Sequence, residues 1–276
     1  MFRILKKLFI ALVILVLLTT CIIAIPLKVK TLNSSFMISM HTDSAPRLVA
    51  HRGLSSLYPQ NTIPAFEGAH EYGFEAFELD IHTTKDGEWV VIHDDTVNDM
   101  TDGEGEVSDF TLNEISQLKI DNGNNIDMYE NLSVPTLKET LDICNQADII
   151  PVIEIKKCDV QYLPSLKDML DEYKLSGSAV IISFTKEYLE EYRKLDSDIE
   201  ILYLKTVPTK EDIDWCIENN FGINFNCWCL YKCFDAIRYA KEKDVTIGAW
   251  TVDNTVIADV MVLIGAKYIT TNKILP

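Results

Sequence analysis

Four stretches of the chain carry side chains able to do acid, base or metal chemistry, and each belongs to a short apolar run. Leu48-Val49-Ala50 runs into His51, Arg52 and Gly53, residues 77–81 hold Glu78 and Asp80, residues 149–156 hold Glu154 and Lys156, and residues 245–250 end in Trp250. Glu78 and Asp80 are two positions apart, which on a strand turns both side chains to one face. With Glu154 on a neighbouring strand, three carboxylates would share a small volume. Like charges that close raise each other's pKa unless a cation neutralises them, and all-oxygen ligation suits Mg²⁺ or Ca²⁺, with Mn²⁺ a further candidate. Asp86-Gly87 has the signature of a two-residue type I′ hairpin, and symmetric pairing about it sets Asp80 opposite His93. Two imidazoles, an arginine, a lysine and a divalent ion could together stabilise phosphoryl charge and move protons at a phosphodiester. His82 shares the strand face of Asp80 and is read, with His41 and His70, as structural.

Those residues need a scaffold that brings separate strand ends together. Eight apolar runs, at 48–51, 77–81, 149–155, 179–183, 201–204, 222–226, 245–250 and 268–271, alternate with segments that carry helix-start chemistry. Thr62 precedes Pro64, Thr136-x-x-Glu139 and Thr209-x-x-Asp212 form capping boxes, and Thr185 precedes Tyr188 and Leu189. Near-continuous apolar strands alternating with helices imply a parallel sheet covered on both faces. Eight of them fit a (β/α)₈ TIM barrel spanning 47–276, whose functional face is the C-terminal end of the strands. The charged groups named above all fall at that end. Residues 96–132, polar and rich in Asp, Asn and Gly, fit a small insertion after the second strand, and little chain follows the eighth. No GxGxxG or GxxxxGK[ST] motif supports a nucleotide fold.

Residues 1–30 carry five Lys or Arg and no acid, which leaves 20 basic residues against 42 acidic ones in the rest. So acidic a body argues against a nucleic-acid partner. Residues 8–27 hold no charge and, at ~1.5 Å per helical residue, reach roughly the 30 Å of a bilayer core. They read as a single transmembrane anchor between a short segment, 1–7, and a polar linker, 28–46. The alternatives are a cleaved signal peptide or a lipoprotein signal at Cys21, but the apolar run continues past Cys21. The basic flanks weakly favour an inside amino terminus, giving a single-pass cell-membrane protein with its acidic domain extracellular. Cys227, Cys229 and Cys233 lack the CxxC pairs of structural zinc and read as ordinary thiols.

The segments VAHRG, PQNTIPAF, FELDIHTTKDGEWVVIHDDTV, VPTLKETLDIC, PVIEIKK, IISF, GAWTVDN and YITTN, in this order, resemble the glycerophosphodiester phosphodiesterase family of the phospholipase-C-like superfamily. The resemblance covers the chain from Leu48 to about Asn272. It implies a TIM barrel that hydrolyses glycerophosphodiesters to glycerol 3-phosphate and an alcohol. It further implies His51 and His93 as acid and base, Glu78, Asp80 and Glu154 as metal ligands, Arg52 and Lys156 on phosphate, and Trp250 against the glycerol. The reaction implied is attack by a glycerol hydroxyl of the substrate, followed by opening of a cyclic phosphate by water. Three departures stand out: Gln60 replaces the family's usual glutamate, Thr271-Asn272 replaces its last aspartate, and Val97-Asn98-Asp99-Met100-Thr101 replaces a basic element. The expected partner is a small glycerophosphodiester or a lipid-derived substrate. Competing readings are action on lysophospholipid or teichoic-acid polymer, and an inactive glycerophosphoryl-binding module.

Overall fold

The computed structural model describes residues 46–276, and Pro46–Pro276 form one compact unit. Segments 1–7, 8–27 and most of 28–46, including the expected span, lie outside the described residues. Among the described residues no helix is long and apolar enough to cross a membrane.

Among the described residues nine strands form: β1 Arg47–Ala50, β2 Ala76–Thr83, β3 Trp89–Val91, β4 Ile150–Lys157, β5 Val180–Ser183, β6 Glu200–Lys205, β7 Gly222–Asn226, β8 Ile247–Trp250 and β9 Tyr268–Thr271. All except β3 are parallel neighbours, and pairing of β1 with both β2 and β9 closes them into an eight-stranded barrel. The strands are near-continuously apolar because they are covered on both sides. Val49, Ala76, Val152, Val180, Ile182, Leu202, Leu204 and Tyr268 fill the barrel interior, while the other face of each strand packs under helices.

The helices are α1 Ile63–Glu71, α2 Leu112–Ile115, α3 Leu137–Ala147, α4 Leu163–Glu172, α5 Lys186–Leu195, α6 Lys210–Asn219, α7 Leu230–Glu242 and α8 Thr255–Ile264. The threonine signals mark their starts. Thr62 caps α1, and Thr136 with Glu139 and Thr209 with Asp212 make complete capping boxes. Thr185 stands at the start of α5 but makes no side-chain cap bond. Among the described residues no helix follows β9.

The hairpin differs from the expectation. Pairs of β2 and β3 are Ile81 with Val91, His82 with Val90 and Thr83 with Trp89, so Asp80 meets Ile92 and not His93. The loop has three residues, Lys85-Asp86-Gly87, with Gly87 at φ +83° and Thr84 and Glu88 closing the ladder. Thr84 fixes this longer loop: its hydroxyl donates to Asp86 Oδ1 at 2.6 Å and accepts from Glu88 N at 3.0 Å. The insertion that follows has a small core of its own, with Val97, Met100, Val107, Ile115 and Ile120 packed on Val90 and Ile92. Asn124 and Asn125 tie it to the loop after β1 by donating to the carbonyls of Ser55 and Leu57 at 2.7 and 2.8 Å.

Candidate active site

The loop after β1 is shaped so that backbone as well as side chains serve the site. His51 N extends the β1–β9 ladder by donating to Thr271 O at 3.0 Å, after which Arg52 and Gly53 both take left-handed conformations, at φ +57° and +72°. This turn aims the Arg52 amide at Glu78 Oε2, 2.9 Å away. Gly53 is required twice over, by its φ and because a Cβ there would sit 2.6 Å from the carbonyl carbon of Ala65. Gly53→Ala should therefore cost on the order of 3 kcal/mol of stability, measurable as a lower urea midpoint with an unchanged slope.

Parallel pairing places Asp80 directly beside Glu154 on β4, with Glu78 two residues back on the same face. All three are buried, and one carboxylate oxygen from each lies within 4.8 Å of the others; among the described residues this is the one such cluster. Burial first, then Asp80 and Glu154, pushes the Glu78 carboxyl well above the usual range. Burial and Asp80 likewise push Glu154 up to about 7. Burial would raise Asp80 too, but the charges of His93, Arg52 and Lys156 outweigh it and hold that carboxyl low. Asp80 Oδ2 accepts from Asn61 Nδ2 at 2.8 Å, whereas Asp80 Oδ1 is buried without a hydrogen-bond partner. Buried polar atoms rarely stay unpaired. Three converging carboxylates, one of them with an orphaned oxygen, fit a hard divalent cation, so the residues present suit the expected ion.

Cations and imidazoles ring the cluster. Lys156 Nζ lies 2.9 Å from Glu154 Oε1, 3.7 Å from Asp80 Oδ1 and 3.3 Å from His93 Nε2. Arg52 Nε faces Asp80 Oδ2 at 3.5 Å, and its Nη1 donates to Gln60 Oε1 at 2.5 Å. His93 reaches the rim although it does not face Asp80 across the hairpin, because β3 ends at Val91 and the chain then turns away. Its Nδ1 lies 2.6 Å from Asp94 Oδ1. His51 Nδ1 lies 2.8 Å from Asn272 Oδ1, and its Nε2 is 4.0 Å from Glu78 Oε2. Burial and the adjacent Arg52 lower the His51 pKa to about 4, so the ring is neutral at pH 7, with a lone pair available but its basicity reduced.

Of the eight residues expected from sequence, seven line one cavity of about 120 Å³: His51, Arg52, Glu78, His93, Glu154, Lys156 and Trp250. Asp80 lies beneath them. Phe184 meets Trp250 edge-on, with ring centroids 5.7 Å apart, and the two form an aromatic wall. Asn224 lines the cavity with its Oδ1 buried and unpartnered. A larger cavity of about 650 Å³ opens at the other end of the barrel beside Arg47, Ile150 and Glu200. Its Lys267 is engaged by Glu200 at 2.7 Å, and the carboxylate cluster lies elsewhere, so the smaller cavity is the chemically equipped one.

His82 is buried, with Nε2 3.4 Å from the His93 carbonyl, and does not line the cavity. The described cysteines are free; Cys227 and Cys233 direct their sulfurs at the carbonyls of Thr251 and Cys229. Asn61, Asp94, Asn224 and Asp253 were not expected from sequence, and Asn272 figured there only as a departure. Asn61 and Asp94 sit inside the quoted motifs, where their polarity next to a ligand or a base was the available signal.

The model of the glycerophosphoryl diester phosphodiesterase family matches residues 51–275. The chain belongs to this family. It is 33% identical over 235 residues to a glycerophosphodiester phosphodiesterase of Caldanaerobacter subterraneus, covering 82% of this chain and 93% of that one. Against glycerophosphodiester phosphodiesterase 1 of Bos taurus the identity is 31%, over 74% and 71% of the two chains. Among solved structures, a glycerophosphodiester phosphodiesterase from Parabacteroides distasonis superimposes with a TM-score of 0.70 at 27% identity, covering 82% of this chain and 92% of that one. An Oleispira antarctica phosphodiesterase in complex with the product sn-glycerol-3-phosphate gives a TM-score of 0.73 at 22% identity, covering 82% and 93%. That last likeness speaks for the fold.

Proposed function

We propose that the protein hydrolyses glycerophosphodiesters to glycerol 3-phosphate and an alcohol, with a divalent metal held by Glu78, Asp80 and Glu154. The observation that carries this reading is the orphaned, buried Asp80 Oδ1 in a three-carboxylate cluster flanked by two histidines, an arginine and a lysine. Such a cation, when bound, would offset the carboxylate charge and polarise a phosphoryl oxygen. Arg52 and Lys156 bind the remaining phosphoryl oxygens. His51, kept neutral, takes the proton of the attacking hydroxyl as its oxygen bonds to phosphorus. His93 gives a proton to the departing alkoxide as the other phosphorus–oxygen bond breaks. Water then opens the cyclic phosphate with the roles exchanged, His93 taking the water proton and His51 returning its own to the released glycerol oxygen. Asp94 Oδ1, 2.6 Å from Nδ1, orients the His93 ring. Asn224 Oδ1 offers an acceptor for a glycerol hydroxyl, and Trp250 covers the carbon skeleton.

The test is release of glycerol 3-phosphate from glycerophosphocholine and glycerophosphoethanolamine by the full chain, with Mg²⁺, Ca²⁺ and Mn²⁺ each supplied. Turnover that disappears with a chelator and returns with one of these ions supports the reading. No turnover on any of them would leave a binding module or a polymer substrate. A lysophospholipid is the second reading, favoured by Phe184, which is 45% exposed beside Trp250 and extends the apolar wall towards solvent.

Gln60 is one departure with a defined contact. A carboxylate in its place would turn the Arg52 bond into a charge-assisted pair and add negative charge near the metal ligands. Gln60→Glu should raise metal affinity by less than about tenfold while weakening substrate binding, since Arg52 is then shared between the new carboxylate and phosphate. Calorimetric metal titration and KM measure the two arms separately. In the same reading the uncharged segment 8–27 holds the barrel at the outer face of a cell membrane. The full chain should then stay with membranes through an alkaline carbonate wash, and its appearance in the wash would remove the anchor.

A further inference from the structure

We propose that Asp253 is a positioning residue that fixes the ring tautomer of His51 through the side-chain amide of Asn272; this rests on the reading of His51 as the base. Asp253 follows β8 and Asn272 follows β9, so both stand on the catalytic rim. The Asp253 carboxylate accepts from the backbone N of Asn272 at 2.8 Å through Oδ1, and from Asn272 Nδ2 at 3.0 Å through Oδ2. Thr271 Oγ1 lies 3.4 Å from the same Oδ1.

A carboxylate has no hydrogen to give, so the Asn272 amide is held with Nδ2 towards Asp253 and Oδ1 towards His51. That removes the usual ambiguity about which way an asparagine faces. Asn272 Oδ1 then accepts from Ser55 Oγ at 3.2 Å and from His51 Nδ1 at 2.8 Å. His51 must carry its proton on Nδ1, and the lone pair on Nε2 is left free for the cavity. A carboxylate in direct contact with the ring would also orient it, but would place a full charge there. With an amide interposed, orientation is kept while the ring stays neutral.

Asp253→Asn reverses the chain of donors. The substituted side chain can keep its oxygen on the Asn272 backbone N–H, but its amino group then faces Asn272 Nδ2, so Asn272 must rotate. It would present Nδ2 to His51 and force the proton onto Nε2. The double variant Asp253→Asn with Asn272→Asp restores the original direction, because the new carboxylate accepts from both His51 Nδ1 and the amino group introduced at position 253.

The experiment is ¹⁵N NMR of histidine-labelled full-length protein without substrate, alongside kinetics. The expected results are Nδ1–H in the wild type, Nε2–H in D253N and Nδ1–H again in D253N/N272D. For turnover, kcat should fall on the order of 10- to 100-fold in D253N with KM within about threefold, and recover at least about tenfold in the double variant. Should D253N fold poorly, Asp253→Ala serves, with a mixture of both tautomers expected. An unmixed Nδ1–H signal in D253N or D253A, or failure of the double variant to restore it, overturns the proposal. If the tautomers shift as described but no glycerophosphodiester is cleaved by the wild type, the hydrolytic reading falls and the relay stands.

Discussion

His51→Ala and His93→Ala should each lower kcat by at least about a thousandfold while leaving the thermal midpoint within a few degrees of wild type. The size follows from what a positioned acid or base contributes, typically 10²- to 10⁴-fold, in a site where neither ring has a neighbour able to replace it. In the proposed mechanism Arg52 and Lys156 serve as fixed cations and the carboxylates hold the metal, which leaves no other group on the cavity wall to take over the proton transfers. Stability should change little because both rings lie at the rim and neither belongs to the apolar clusters of the barrel or the insertion. Single-turnover rates with glycerophosphocholine check the first statement and circular-dichroism melts the second. Turnover retained in either variant would remove that histidine from the acid/base pair.

The second large effect concerns the carboxylates without metal. The folded pKa of Glu154, about 7, lies above the usual 4.5, and Glu78 is displaced in the same direction. Between roughly pH 4.5 and 7 the folded protein in chelator therefore holds protons that the unfolded chain has released, so stability falls as pH rises through that window. The Glu154 contribution is ~3 kcal/mol at most. Asp80 acts oppositely: its lowered pKa gives stability that is present above the usual 3.8 and lost below it. A bound cation should flatten the Glu154 slope and release protons on binding, with affinity increasing as pH rises towards 7. Glu154→Gln should then make the chelated protein more stable at pH 7 and abolish the metal-dependent gain in midpoint. A midpoint in chelator that does not fall between pH 5 and 7 would contradict this account.

Much of the site was legible because strands have a rigid periodicity. Glu78, Asp80, Glu154 and Lys156 lie on two neighbouring strands; alternation puts Glu78 and Asp80 on one face, and parallel pairing of the two strands brings Glu154 beside them. His93 was legible in kind but not in register. Asp-Gly suits both a two-residue and a three-residue turn, and the choice was made by the Thr84 hydroxyl, a contact no periodicity reports. A one-residue slip moves every side chain of a strand to the other face, yet β3 is only three residues long, so His93 lies beyond its end and arrives by another path. Asn61, Asp253 and Asn272 were beyond reach for a different reason. Asn61 reaches Asp80 of β2 from the loop after β1, and Asp253 and Asn272 join the loops after β8, β9 and β1; such pairings depend on which strands the barrel makes neighbours. Gln60 was visible as a departure, but its grip on Arg52 was not.

Barrel closure also sets an order of events in the life of the chain. The pairing of β1 with β9 and the contact of His51 with Asn272, 221 positions apart, join the two extremes of the folded unit. Contacts of such long separation form late, after the intervening chain has lost its loop entropy. Until residues 268–272 are in place, the barrel lacks the strand and the amide that seat His51. The seat of His51 is thus completed among the last parts of the barrel, although His51 itself stands near the start of the folded unit.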